Sequence, residues 1–466
     1  MTIEDDTSSV SNRNRVARAI AIFAVLAVAL VFGFGTESIN SGLEKLLGSD
    51  FRRAIRILSR LWFYSTPVGA LIGVLLGYLV LRSAWLTEAM VRFLRIGRWI
   101  PFLIFWTIAA ELTATPNQPL SRLWFWTYGS ITVALAACYE FLLVRFVLKL
   151  PFRAALGSVV WLATIQGIFI ALVLDMSVWG ELWFKYPGLD PIGYAVFILL
   201  ATMILLINWV SGCNFARTSA IRGIVLIKEL EYDSWRSLCG CLVLCTVCLV
   251  LWQALTRYIF NTSPAEVFAA LNELLAGYDF LKDVYVSLGE ILIGILLSGG
   301  LAVVSLHIFD RFPLMKRMTD GLFQASHVAP VAFLPALFGL VIVLDSKWST
   351  MCVVVFTFYP FARGYAGLKN QRPIIRILLA IDEALPYGGT AIVYSEMMNA
   401  TAGLSFVMVV AGATYQTAKG LVGFVTLVFL VATLSTILRS LAKLVYSAPR
   451  CSALSDRPHF TLSASF

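Results

Sequence analysis

From end to end, the chain alternates long apolar runs with short polar and basic breaks. A hydrocarbon core of about 30 Å takes roughly 20 apolar helical residues to cross, so each run near that length predicts a membrane span. Twelve meet the pattern: 16–35, 66–86, 99–113, 123–143, 155–174, 191–210, 238–257, 284–305, 328–344, 348–365, 389–410 and 421–442. The first follows a polar leader, shows no small-residue cleavage pattern and continues into further spans, which predicts an anchor helix rather than a removed signal. Two more stretches are amphipathic. In 50–63, Ile55, Ile57, Leu58, Leu61 and Trp62 fall roughly on one face beside Arg52, Arg53, Arg56 and Arg60, predicting an interfacial helix. In 263–277, Ser263 as N-cap and Pro264 at the first helical position open its counterpart.

The apolar phrase "ALIGVLLGYL" at 70–79 returns as "ILIGILLSGG" at 291–300, setting Gly73 on Gly294 and Gly77 on Ser298. Helices in lipid gain little from hydrophobic contact, so close approach depends on small residues. Gly69, Gly73 and Gly77 recur every four positions, and Gly294 and Ser298 do the same, marking one tightly packed helix in each half. Each half then reads as span, surface helix, glycine-rich span, basic loop, proline-bearing span, span, basic loop, span, external loop, span. The expectation is an all-α polytopic membrane protein with about 12 transmembrane helices in two tandem six-helix permease-like halves, 1–225 and 226–450, with a cytoplasmic tail at 451–466. Residues 217–237 read as a cytoplasmic loop, the mixed-charge connector between the halves. An even number of spans per half makes the halves parallel repeats about an axis along the membrane normal.

Composition agrees: 59% of residues are apolar and 14% charged, which leaves little room for a soluble protein. The net charge of +9 reads as topology rather than a nucleic-acid site. With both termini inside, most Lys and Arg fall in cytoplasmic segments, among them Arg95, Lys149, Arg153, Arg222, Arg363 and Arg439. Four of the eight cysteines crowd into "CGCLVLCTVC", with Cys241, Cys245 and Cys248 on one helical face. A soft-metal site is one reading. With no histidine or carboxylate in the run, cysteine as a small membrane hydrophobe is preferred. No phosphate-binding loop, His-Glu-x-x-His pair or nucleophile elbow occurs, so no enzyme activity, cofactor or metal is expected.

Residues 284–370, with "SL…G" opening the eighth span, the prolines of "APVAFLPALF", the acidic turn "LDSKW" and "YPFARGYAGLKN", resemble the permease subunits of binding-protein-dependent ABC importers of the nitrate/sulfonate/taurine branch. The resemblance resumes at "YSEMMNATAGLSF", where Glu396, Gly403 and Leu404 match the family's "AEM…GLG" region. It implies a permease for a small, anionic solute in the bacterial inner membrane. The implied partners are separate ATPase subunits on the cytoplasmic side and a periplasmic solute-binding protein, in addition to the bilayer. The family's ATPase-coupling loop is present only in fragments, Glu383, Ala384 and Gly388 with Arg376, and the first half is equally short around Lys149 and Arg153. A secondary transporter of six-plus-six layout and a non-transporting membrane subunit are the competing readings.

Ionisable groups within spans are costly, which singles out Glu396 and Asp175 as pathway candidates or as helix-end groups reaching water. Pro101, Pro330 and Pro335 break helical hydrogen bonds, which membranes tolerate beside a cavity or a packed neighbour. His327 beside them is either an anion ligand or an interfacial side chain.

Overall fold

The computed structural model describes residues 49–97, 119–160, 163, 215–232, 234–259, 262–277, 280–312, 347–399, 401–414 and 416–447. The expected spans at 16–35, 99–113, 191–210 and 328–344, and most of 155–174, lie outside them, as do Asp175, Pro101, Pro330, Pro335 and His327. What is described is helical: α1 Ser49–Val80, α2 Ala84–Gly97, α3 Pro119–Leu142 running into a π-helical turn at Leu143–Val147, α4 Phe215–Tyr232, α5 Trp235–Ile259, α6 Pro264–Gly277, α7 Phe280–Arg311, α8 Lys347–Gly367, α9 Pro373–Asn399, α10 Leu404–Ala413 and α11 Thr417–Ser447.

Around an apolar core, the bundle also turns large apolar side chains outward and buries several charged ones. Leu296 is 66% exposed, Phe429 71% and Val250 61%, while Arg439 is 1% exposed and Glu229 4%. Large apolar side chains turned outward along whole helices mark a surface made for lipid. Among the described residues, four stretches are long and apolar enough to cross a membrane, Gly129–Val147, Trp235–Ala254, Phe280–Arg311 and Thr417–Ser447. Of these, Trp235–Ala254 is 11% buried and Gly129–Val147 67% buried, which puts α5 at the periphery and α3 inside.

The glycine faces meet their partners closely. A Cβ on Gly73 would stand 2.5 Å from the Ala134 carbonyl oxygen, so α1 lies backbone-on-backbone against α3. A Cβ on Gly294 would stand 2.5 Å from Val353 Cβ, so α7 packs in the same way on α8. One turn further along, Phe141 fills the space beside Gly77 and Phe361 the space beside Gly299. These two phenylalanines belong to a second repeat that only this packing makes evident: Tyr139, Phe141, Leu148 and Lys149 recur 220 positions later as Tyr359, Phe361, Leu368 and Lys369.

Several segments depart from expectation. The interfacial helix expected at 50–63 is not separate, because α1 runs unbroken from Ser49 through Pro67 to Val80. Pro67, Gly69, Gly73 and Gly77 all lie within that helix without breaking it, whereas Gly277 ends α6 before α7 begins at Phe280. The capping signal at Ser263 does hold: its backbone N–H donates to Glu266 Oε2 at 2.8 Å, and the Glu266 N–H donates back to Ser263 Oγ at 3.2 Å. The basic loop after the second expected span is helix α2, with Thr87, Val91, Leu94 and Arg95 on its buried face. The coupling loop is the first half of α9, and the expected span 389–410 is broken between α9 and α10.

Most consequentially, the connector is not a loop. It is α4, which crosses the expected boundary at 225/226 and buries Ser219, Arg222, Val225, Leu226, Glu229 and Leu230. Those positions recur at intervals of three and four, the spacing of one helix face. Gly223 and Gly367 let α4 touch α8 backbone to backbone: a Cβ on Gly223 would lie 2.1 Å from the Gly367 carbonyl oxygen.

Candidate functional site

Six helices converge on one buried ionic cluster. Arg222 and Glu229, two turns apart, share a face of α4. Asp382 and Glu383 are adjacent on α9 and therefore diverge, Asp382 toward α11 and Glu383 toward α4 and α8. Ser435 and Arg439 are one turn apart on α11; Arg95 arrives from α2, Tyr139 from α3 and Arg363 from α8.

Glu383 is held by both Arg222 and Arg363. Arg222 Nε donates to its Oε1 at 2.9 Å and Arg222 Nη2 to its Oε2, while Arg363 Nη2 donates to Oε1. Arg439 bridges two carboxylates, with Nη2 2.7 Å from Glu229 Oε2 and Nε 2.7 Å from Asp382 Oδ2. The other oxygen of Glu229 accepts the Tyr139 hydroxyl at 2.6 Å, with Arg222 Nη1 at 3.9 Å. Asp382 Oδ1 accepts the Ser435 hydroxyl, and Arg95 Nη2 donates to Ser435 Oγ at 3.4 Å. Arg363 also lies 5.6 Å from the ring centre of Tyr359, the repeat mate of Tyr139.

Taking such charges out of water costs several kcal/mol per ion, so the cluster survives only because every carboxylate oxygen has a donor. Burial alone would push the Glu229 carboxyl up. Arg222, then Arg439 and Arg95, together with the Tyr139 hydroxyl, outweigh it and hold the group below 4.5. Burial opposes the Arg222 charge, and Glu383, Tyr139 and Glu229 outweigh it in turn. The contacts tie Tyr139 and Arg95, early in the chain, to α9 and α11 in the C-terminal half. Lys228 adds a bond from α4 to the Val147 carbonyl at 2.9 Å. Ion pairs whose carboxylate oxygens are all occupied fix the alignment of helices, although Arg95 Nε, Arg363 Nε and Arg439 Nη1 are buried without an acceptor.

A second polar cluster surrounds Glu396 at the start of α10. Gly403, with φ +121°, is the N-cap. The N–H groups that this helix start leaves without an intrahelical acceptor are taken by groups from α7 and α9: Gly403 N–H donates to Asp283 Oδ1 at 2.8 Å, Leu404 N–H to Ser287 Oγ at 2.9 Å and Ser405 N–H to Glu396 Oε2 at 2.8 Å. Ser287 in turn donates its hydroxyl to Glu396 Oε1. Glu396 is 1% exposed and supplies the side-chain acceptor that this helix start needs, taking the Ser405 N–H on one oxygen and the Ser287 hydroxyl on the other.

The structure thus joins Glu396 to Gly403 and Leu404. It does not put Glu383, Ala384 and Gly388 on an outward face: Glu383 and Ala384 are buried, and Gly388 packs toward Ile295, Ile291 and Thr357. The reason is that this stretch is the interior flank of α9, enclosed by α4, α8 and α11. Lys149 and Arg153 are exposed, Lys149 at φ +56° in the turn closed by Arg145 Nη1 on the Leu150 carbonyl at 2.7 Å. Arg376 is half-buried, its guanidinium 3.9 Å above the Tyr365 ring.

Sequence reading counted Arg95, Arg222, Arg363 and Arg439 only as topological charge and passed over Glu229 and Asp382. It also passed over three carboxylates inside expected spans: Glu111, which lies outside the described residues, Glu140, which accepts the Ser158 hydroxyl, and Glu290. Listing every carboxylate within the apolar runs would have found all three. Among the described residues, no group of three or more His, Cys, Asp or Glu side chains is placed to hold a metal. No family model, curated protein or solved structure matches the chain.

Proposed function

We propose that this protein is the membrane-spanning permease of an importer for a small anionic solute, of the ABC type, driven by a separate ATPase and supplied by a periplasmic binding protein. In this reading twelve spans form two six-helix units in a bacterial inner membrane, with both termini cytoplasmic. The observation that carries it is the doubled helix pair: α1 on α3 and α7 on α8, each joined along a small-residue face and each ending on the Tyr-x-Phe and Leu-Lys repeat. Two equivalent units in one chain suit a pathway between them, and α4 with its ionic cluster is the joint that makes them move together.

The burial of Glu383, Ala384 and Gly388 favours a second reading, a membrane subunit without transport, since an ATPase would then dock only on exposed groups such as Lys149 and Arg153. The test is purification of the tagged full-length chain from native membranes, with subunit identification, and solute uptake in cells lacking it. A co-purifying ATPase and ATP-dependent uptake support the permease. Uptake lost on collapsing the proton gradient while ATP is intact supports a secondary transporter, and unchanged uptake with no ATPase supports the second reading.

A further inference from the structure

The nest around Glu396 holds acids and hydroxyls but no base. Asp283, Ser287 and Glu290 follow one another at intervals of four and three along α7, so they share a face. Asp283 and Ser287 are bonded into the start of α10, which brings a carboxylate from α9 and two from α7 to the break between α9 and α10. Among the described residues, no Lys, Arg or His pairs with Asp283, Glu290 or Glu396. Lys282, beside Asp283, is exposed. Of the other elements packed here, α10 carries no titratable side chain, α8 brings the buried Cys352, and α11 brings Lys419, which is turned to Glu273 on α6 at 2.6 Å.

Two polar atoms in the nest are left over. Ser405 is 0% exposed and its N–H bonds Glu396 Oε2, yet its own hydroxyl has no partner. Glu290 Oε2 is likewise buried without a donor. A carboxylate taken out of water with no cation beside it is neutralised rather than left charged, and neighbouring carboxylates resist ionising together. Position decides which group gives way. Asp283 stands in the first turn of α7, where the helix dipole favours its charge, whereas Glu396 stands in the last turn of α9, where that dipole opposes it. A metal cation needs several oxygens turned toward it. Both Glu396 oxygens instead face hydrogen-bond donors, and Gly403 packs against the carboxyl group, since a Cβ there would stand 2.4 Å from Cδ and 2.5 Å from each oxygen.

We infer that Glu396 is a buried proton-binding site, protonated at neutral pH, whose proton holds the joint between α9 and α10 closed. The proton comes from solvent, forms an O–H bond on one carboxyl oxygen and is donated to Ser405 Oγ, a hydroxyl that can accept it. No electron moves. Release returns the proton to solvent and leaves a charge beside Asp283 and Glu290, so the start of α10 parts from α7 and admits water. The joint is closed at low pH and loosens as pH rises.

The test uses the full chain in lipid nanodiscs, with infrared difference spectra through a pH titration and hydrogen exchange, corrected for intrinsic rate, of the segment holding Gly403, Leu404 and Ser405. The wild type is expected to show a protonated-carboxyl C=O band at neutral pH that shifts on isotopic labelling of glutamate, disappears at alkaline pH and is missing from Glu396→Gln. Exchange should rise over the interval in which the band disappears, and should lose that pH dependence in Glu396→Gln, whose amide stays neutral. Ser405→Ala removes the acceptor and should lower the proton affinity about 5-fold, the scale of one hydrogen bond. If Glu396→Gln does not fold, the wild type decides alone: no glutamic-acid band at neutral pH, or a band whose loss is not matched by exchange in this segment, overturns the inference. A folded Glu396→Gln that keeps the band overturns it by placing the proton elsewhere. Loss of the band on adding sodium at constant pH overturns it too, because the ligand is then a metal cation. No readout involves uptake, so the outcome is independent of the transport reading.

Discussion

Arg439 reaches Glu229 across 210 positions of sequence, Nη2 to Oε2 at 2.7 Å, with both side chains almost wholly buried. The bond joins α11 to α4, and through Tyr139 it continues to α3. An apolar bundle in lipid has few forces that choose one helix alignment over another. A charge pair that must be matched to be buried is one of them.

Removing one member of this cluster leaves its partner buried without compensation, which costs about 3–5 kcal/mol. Glu383→Gln is therefore expected to lower the unfolding temperature of the detergent-solubilised protein sharply, because Arg222 and Arg363 both lose their charged acceptor. Lys369→Gln, at an exposed pair with Asp310 at 3.6 Å, is expected to change little. Equal unfolding temperatures for the two variants would show that the cluster does not hold the helices together.

The pH dependence follows from Glu229. Its folded pKa is depressed below 4.5, so its contribution is fully present above 4.5 and is lost as pH falls through the lower, folded value. Glu229→Gln is expected to be less stable than wild type at pH 7, with the gap closing only on the acid side of 4.5. Thermal unfolding of both proteins from pH 7 down to the acid limit checks this, and a gap that closes between pH 7 and 5 contradicts it.

Glycine substitutions separate contact from composition. Gly223→Ala places a methyl group 2.1 Å from the Gly367 carbonyl oxygen, so α4 and α8 must part. Overpacking typically costs 1–3 kcal/mol, and here the obstacle is backbone. Gly289→Ala and Gly300→Ala on α7 meet nothing within 4 Å and are expected to be neutral, or to stabilise by up to about 1 kcal/mol through helix propensity. Size-exclusion profiles after graded heating rank the three variants.

At the Glu396 cluster, Gly403→Ala is disfavoured twice, by φ +121° and by a Cβ 2.4 Å from Glu396 Cδ. Its loss of stability should exceed that of Ser405→Ala, which keeps the backbone N–H that Glu396 accepts. Limited proteolysis between α9 and α10 reports the difference as faster cleavage in Gly403→Ala. Equal cleavage rates would mean that the turn does not depend on glycine.

What was legible in the sequence was local. The apolar runs at 284–305 and 421–442, the close-packing face of Gly69, Gly73 and Gly77, and the N-cap at Ser263 each depend on residues within a few turns, so spacing alone carries them. The connector was misread for the same reason. "RTSAIRGIVLIKELEY" is polar enough to pass for a loop, and only its packing against Gly367, Glu383 and Arg439 makes its charged face an interior one.

The amino-acid order by itself determined that the chain is helical and suited to lipid, and that a glycine-faced helix is written twice. Tertiary structure decided which charges are buried, that α4 rather than a loop joins the early and late helices, and that Glu396 caps α10. Those outcomes rest on partners up to 340 positions apart, such as Arg95 and Ser435, whose meeting is set by the packing of whole helices and leaves no periodic trace in the chain.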